Sequence, residues 1–267
     1  AWLSTVTGDA CCEIQSEQIS RWVNSEGIKL TTRKIRLAIM RHLFKYLSAR
    51  ELVAPNPCLL VTVDYNSLAH TQKESRVVKP FTDDDLKKLL AFIEARLASL
   101  DDKINEMLQF PIIVGRLEER RANHEFWKAA AVISRCTGLR LGDIANLESE
   151  AMGPPLVCWT RKRHKRVQPH VLWRELYEQA TKFLCRSGQY VFEAKRKMYL
   201  NGRTRSVMSG QFTKLCAQAG LEGLHFHCLR YQYSRKCREL GIPTPHISEF
   251  MGHSSVEMTE HYLGETC

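Results

Sequence analysis

The chain has 267 residues, 44% hydrophobic and 25% charged, enough to bury a core as one large domain or two moderate ones. Its 39 Lys+Arg against 29 Asp+Glu leave a net charge of +10, which points to a polyanionic partner: nucleic acid or an anionic membrane surface. No apolar run of about 18 residues is present, so a membrane-spanning helix is excluded, and the ten scattered cysteines form neither a C-x-x-C pair nor zinc-type spacing with histidine. Reduced, mostly buried thiols in a cytoplasmic protein are expected, with no metal.

Residues 13–26 place Ile14, Ile19, Trp22 and Val23 on a helical stripe ended by Gly27. Thr31 and Thr32 can cap a second helix running to about Leu52, with Ile35, Ile39, Leu43, Tyr46 and Leu47 on one face. Arg33, Lys34, Arg36, Arg41 and Lys45 cover much of the remainder; this is either a solvated surface or a DNA-facing one. Pro55-Asn56-Pro57 breaks the pattern, so residues 1–65 read as a small helical domain. Residues 66–80 are polar, aperiodic and end in Pro80, a linker to a second domain over 81–267.

That second domain opens with Thr82 as a helix cap, Asp83, Asp84 and Asp85 in the first turn, and Leu86, Leu89, Leu90 and Ile93 as the buried stripe. Charge-rich helix continues to about Asn123, interrupted at Phe110-Pro111, and residues 124–136 read as a separate buried helix. Gly138 allows a sharp turn before Arg140, whose guanidinium Asp143 can hold three residues on. Residues 156–171 read as a hairpin carrying Arg161, Lys162, Arg163, His164, Lys165 and Arg166 at its tip, like charges that repel unless an anion lies near. Helices are expected over 173–186, 207–219 and 225–240, then a short helix ending near Met251 and a last one from Ser255 to about Leu263. The fold class is thus mainly α with a small β-sheet.

The last forty residues, HFHCLRYQYSRKCRELGIPTPHISEFMGHSSVEMTEHYLG, concentrate the chemistry. His227 and Arg230 are three apart on a helix; His253 follows, and Tyr262 nine residues later. A guanidinium fork matches two phosphate oxygens, imidazole moves protons near neutral pH, and a phenol oxygen can form a covalent intermediate. Such a set can grip a phosphate and attack it.

From about residue 13 to 264 the sequence resembles the tyrosine recombinase (phage integrase) family, on the segments TGLRLGDIANL, the basic hairpin, His227-Cys228-Leu229-Arg230 and MGHSSVEMTEHYLG. The resemblance implies a helical core-binding domain followed by a tyrosine-recombinase-type catalytic domain. It implies Arg140, Arg230, His227 and His253 as catalytic, Asp143 as supporting, and Tyr262 as nucleophile. It also implies a catalytic lysine in the hairpin, Lys162 by distance from Arg140, with Lys165 as the alternate. DNA contacts are expected from Arg33, Lys34, Arg36, Arg41, Lys45, Arg161, Arg163, Lys165 and Arg166. The chain departs from the family pattern at Tyr231, where histidine is frequent, and in a longer stretch before Arg140, an insertion around residues 95–122. Only five residues follow Tyr262, where family members commonly carry a segment that docks on a neighbouring protomer.

The activity implied is cutting and rejoining of double-stranded DNA through a 3′-phosphotyrosine, with no cofactor, by a tetramer on two DNA sites and with no membrane partner. Two alternatives stand beside it: type IB topoisomerase-like relaxation, and a DNA-binding protein that keeps the fold without the chemistry. Covalent DNA trapping separates the last from both enzymes, and a plasmid assay separates relaxation from recombination.

Overall fold

The computed structural model describes residues 14–53, 55–64, 79–152, 155–160, 165–182, 184 and 188–263, with only the backbone of 202–205, 261 and 262. Two compact units result, Ala1–Val77 and Val78–Cys267. The first contains α1 (Ser16–Val23) and α2 (Leu30–Ser48). Their apolar residues Ile19, Val23, Leu37, Met40 and Phe44 close on a returning segment that supplies Cys58, Val61 and Val63. That segment is strapped to the end of α1: Asn24 Nδ2 donates to the Thr62 carbonyl at 3.1 Å, and the Asp64 N–H donates to Asn24 Oδ1 at 2.8 Å.

Two expectations for α2 fail here. The helix starts at Leu30 behind Lys29, with no side-chain cap, so Thr31 and Thr32 lie inside its first turn. Its buried face is Leu37, Met40 and Phe44 together with Arg33, while Ile35 and Ile39 are 59% and 57% exposed. Apolar residues surround most of this helix, so periodicity alone cannot select the inner stripe.

The second unit begins with α3 (Asp83–Glu106), and here the capping residue is the predicted one. Thr82 Oγ1 accepts from the Asp85 N–H at 3.1 Å and the Asp85 carboxylate accepts from the Thr82 N–H at 3.0 Å, a reciprocal capping box. After the turn at residues 107–110, α4 (Pro111–Thr137) runs back antiparallel, with Lys128 paired to Glu94 at 2.9 Å. Pro111 sits in the first turn, where its missing N–H costs nothing. The region predicted as separate helical pieces is therefore one 27-residue helix. Its first half is charged and solvated, and from Phe126 to Thr137 it runs through the core. There Phe126, Trp127, Phe212 and Phe226 pack with ring centroids 4.8 to 6.3 Å apart.

After α4 come α5 (Leu141–Ala145), strands β1 (Cys158–Thr160) and β2 (Lys165–Val167), and α6 (Arg174–Thr181). Then follow α7 (Glu193–Leu200), α8 (Gly202–Gln218), α9 (Phe226–Glu239), α10 (Thr244–Met251) and α11 (Val256–Leu263). The strands pair antiparallel in the register Cys158–Val167, Trp159–Arg166 and Thr160–Lys165. Helix α6 is shorter than predicted, α8 begins earlier, and α7 was not anticipated, because none of its residues is fully buried to mark an inner stripe. The whole is mainly helical with one two-stranded sheet among the described residues.

Candidate active site

The turn after α4 decides where Arg140 stands. Gly138 ends α4 with φ +68, a left-handed conformation that favours glycine, and a Cβ there would lie 2.4 Å from the Tyr233 ring. Arg140 is the N-cap of α5, its carbonyl accepting from the N–H groups of Asp143 and Ile144 at 2.9 and 3.0 Å. Its guanidinium is half-buried and reaches the Met251 carbonyl at 3.4 Å. Asp143 is buried beneath it at 3.9 Å, an ionic separation longer than a hydrogen bond. The same carboxylate lies near Cys158, whose thiol is pushed up to about 12, first by burial and then by Asp143 and Glu148. So β1 runs alongside the base of the site.

Arg230 comes from α9 and is 1% exposed. Nη1 donates to the Gly138 carbonyl and Nη2 to the Met251 carbonyl, the latter at 2.6 Å. Two arginines 90 residues apart in sequence thus converge on one oxygen, at the C-terminal end of α10. His227, one turn earlier on α9, is exposed and lines an open cleft of about 910 Å³ together with Arg140, Gly142, Tyr199, Thr213 and Lys214.

Gly252 ends α10 with φ +59, and a Cβ on it would press at 3.0 Å on both Thr160 and Val167, so the strand pair abuts this turn. His253 follows, buried, its Nδ1 sharing a 2.8 Å hydrogen bond with the Thr259 hydroxyl of α11. Tyr262 lies on α11 one turn beyond Thr259, and α11 packs on α9 and α10 of the same chain; the Tyr262 side chain lies outside the described residues. Arg161, Lys162 and Arg163 lie outside them as well, whereas Lys165 and Arg166 are exposed on β2.

In the N-terminal unit the basic set divides. Arg33 is buried, not DNA-facing as expected. Its guanidinium donates to the carbonyls of Ile28 and Asp64 at 3.1 Å and of Ser25 at 3.3 Å, tying both loops to α2. Arg36 donates to the Trp22 carbonyl at 2.7 Å and lies over that ring, and Arg41 donates to the Val61 carbonyl at 3.0 Å. Lys34, Lys45 and Arg41 are exposed. Sequence reasoning also passed over the Met251 carbonyl, Thr259 and Tyr199. A backbone acceptor has no residue-type signature; Thr259 lies within MGHSSVEMTEHYLG but its spacing does not reveal that it pairs with His253, and Tyr199 falls within no motif.

Among the described residues no cluster of three His, Cys, Asp or Glu side chains could hold a metal ion, and no helix is long and apolar enough to cross a membrane. The mainly helical fold that carries these side chains is that of the class of tyrosine recombinases. The sequence matches the phage integrase family over residues 79–266, and the chain belongs to that family. Family and fold together support site-specific recombination as its general activity. The structure is similar to a phage lambda integrase dimer bound to a COC′ core site (TM-score 0.64, 17% identity, 99% of this chain and 85% of that one). It is also similar to the Tn1549 transposon integrase in complex with circular intermediate DNA (0.57, 15%, 94% and 81%). A third similar structure is the XerH recombinase on a palindromic difH substrate (0.56, 14%, 94% and 69%). At these identities the likeness is one of fold. No curated protein sequence gives a match.

Proposed function

We propose that the protein is a site-specific DNA recombinase that cuts and rejoins strands through a 3′-phosphotyrosine at Tyr262. The observation that carries this reading is the convergence of Arg140 and Arg230 on the Met251 carbonyl, which sets the two guanidiniums side by side so that their remaining N–H groups can donate to the non-bridging oxygens of a scissile phosphate. The Tyr262 oxygen attacks phosphorus, the bond to the 5′-oxygen breaks, and the energy of the ester is kept for rejoining, so neither ATP nor a metal enters the balance. His227 accepts the phenol proton, His253 donates to the phosphate, and Lys162 (or Lys165) protonates the leaving 5′-oxygen. Residues 1–65 serve as a second DNA-binding unit joined through 66–80, with Lys34, Arg41 and Lys45 among its exposed cations. Protomers assemble on DNA, as the lambda integrase tetramer does on a Holliday junction.

The test is covalent trapping. Duplexes from the regions flanking the gene, nicked so that cleavage cannot reverse, are incubated with wild type and Tyr262→Phe and run on a denaturing gel. An adduct with wild type alone is expected. An adduct with Tyr262→Phe overturns the nucleophile, and DNA binding without any adduct overturns the chemistry in favour of a binding protein. Relaxation of a plasmid without exchange of sites would favour the topoisomerase reading.

A further inference from the structure

The stretch Gly138-Leu139-Arg140-Leu141-Gly142 has a glycine at each end and a tyrosine ring against each glycine. A Cβ on Gly142 would lie 2.4 Å from the Tyr199 Oη and 2.5 Å from its Cζ, as one on Gly138 would meet Tyr233. Tyr233 is a core residue of α9, its hydroxyl donating to the His170 carbonyl at 2.7 Å. Tyr199 is different. It comes from α7, is only half-buried, and lines the cleft with Arg140 and His227.

We propose that Tyr199 is a positioning residue for cleavage: its ring, seated on Gly142, holds the first turn of α5 and thereby fixes where the Arg140 guanidinium reaches. This rests on Arg140 acting on the scissile phosphate. Helix α5 has five residues, far below the length at which a helix holds itself, so its geometry comes from what presses on it. Buried Asp143, Ile144 and Ala145 anchor one side, and Tyr199 covers the side toward the cleft. Helix α7 can bear that load because its other end is fastened to α4. Lys195 donates to Asn123 Oδ1 and lies 5.4 Å over the Phe126 ring, and its ammonium pKa is lowered by burial. Arg196 lies 3.9 Å over Tyr190. The strut therefore runs from the core helix α4 to the arginine turn. It works only because residue 142 has no side chain.

The experiment is a double-mutant cycle read by single-turnover adduct formation on the nicked duplex that wild type traps, with DNA affinity and melting temperature measured alongside. Tyr199→Ala and Gly142→Ala should each slow adduct formation by about 10- to 100-fold, the scale of a misplaced catalytic group, with affinity and melting near wild type. Tyr199→Phe, which keeps the ring, should restore the rate. The double variant should be no slower than Tyr199→Ala, because the methyl at 142 no longer meets a ring. The cycle reads the contact even where Tyr199→Ala loses stability, since Gly142→Ala leaves α7 intact. Wild-type rates in either single variant, multiplying losses in the double, or Tyr199→Phe as slow as Tyr199→Ala would overturn the proposal. Absence of an adduct from wild type would overturn instead the reading it rests on.

Discussion

Three guanidiniums among the described residues are nearly inaccessible, those of Arg33, Arg135 and Arg230, and their surroundings separate structure from chemistry. Arg33 holds three carbonyls that belong to loops, and Arg135 pairs with Asp83 and lies 3.8 Å over Trp173. Only Arg230 shares its acceptor with a second arginine at a cleft. Arg33→Met should therefore destabilise the N-terminal unit by about 2–4 kcal/mol in urea unfolding, because buried acceptors lose their donors. Lys34→Ala, exposed on the same helix, should change stability by less than about 0.5 kcal/mol. Arg230→Lys keeps the charge but loses the fork, and should slow adduct formation by about 100-fold or more while DNA binding changes little. The hairpin lysine can be assigned by its leaving group. A substrate with sulfur in place of the bridging 5′-oxygen leaves without a proton, so it should rescue Lys162→Ala; rescue of Lys165→Ala instead would move the role to Lys165.

At the scale of elements, local signals were legible where one residue type has one job. Thr82 with Asp85 announces the start of α3, and Thr82→Ala should cost about 1 kcal/mol by chemical denaturation. The pieces TGLR, H-x-x-R and GH could be read because each fixes a side chain on a short turn or helix. The face of α2 could not, since a long arginine side chain enters the interior where an isoleucine was expected. Helix α7 could not either, because it is held by a cation over a ring and by one tyrosine against a glycine, neither of which repeats with helical period. The strand pair makes its own prediction: Arg166 is exposed on β2, and Arg166→Gln should reduce the slope of log affinity against log salt by about 0.9 if it meets one phosphate.

Each unit of the molecule has its own core, and four buried thiols report on that of the second. Burial pushes Cys136, Cys158 and Cys216 up to about 12 and Cys237 to about 11, from an ordinary 9.0. At pH 8 these thiols should resist iodoacetamide in the native protein and react in guanidinium, as peptide mass spectrometry would show. The folded pKa lies above the unfolded one, so the stability these thiols contribute is complete below pH 9.0 and is lost as pH rises from there toward 12. Urea unfolding should accordingly become easier across that alkaline range. Trp127→Ala, at the centre of the aromatic cluster, should cost about 3–5 kcal/mol. The long pair α3–α4 has one further consequence. Its turn at residues 107–110 lies at the far end of two helices whose buried residues are concentrated elsewhere, with Leu108 and Phe110 turned to solvent. A reporter domain inserted at this turn should lengthen a surface loop, which costs little, and leave the arginine turn untouched.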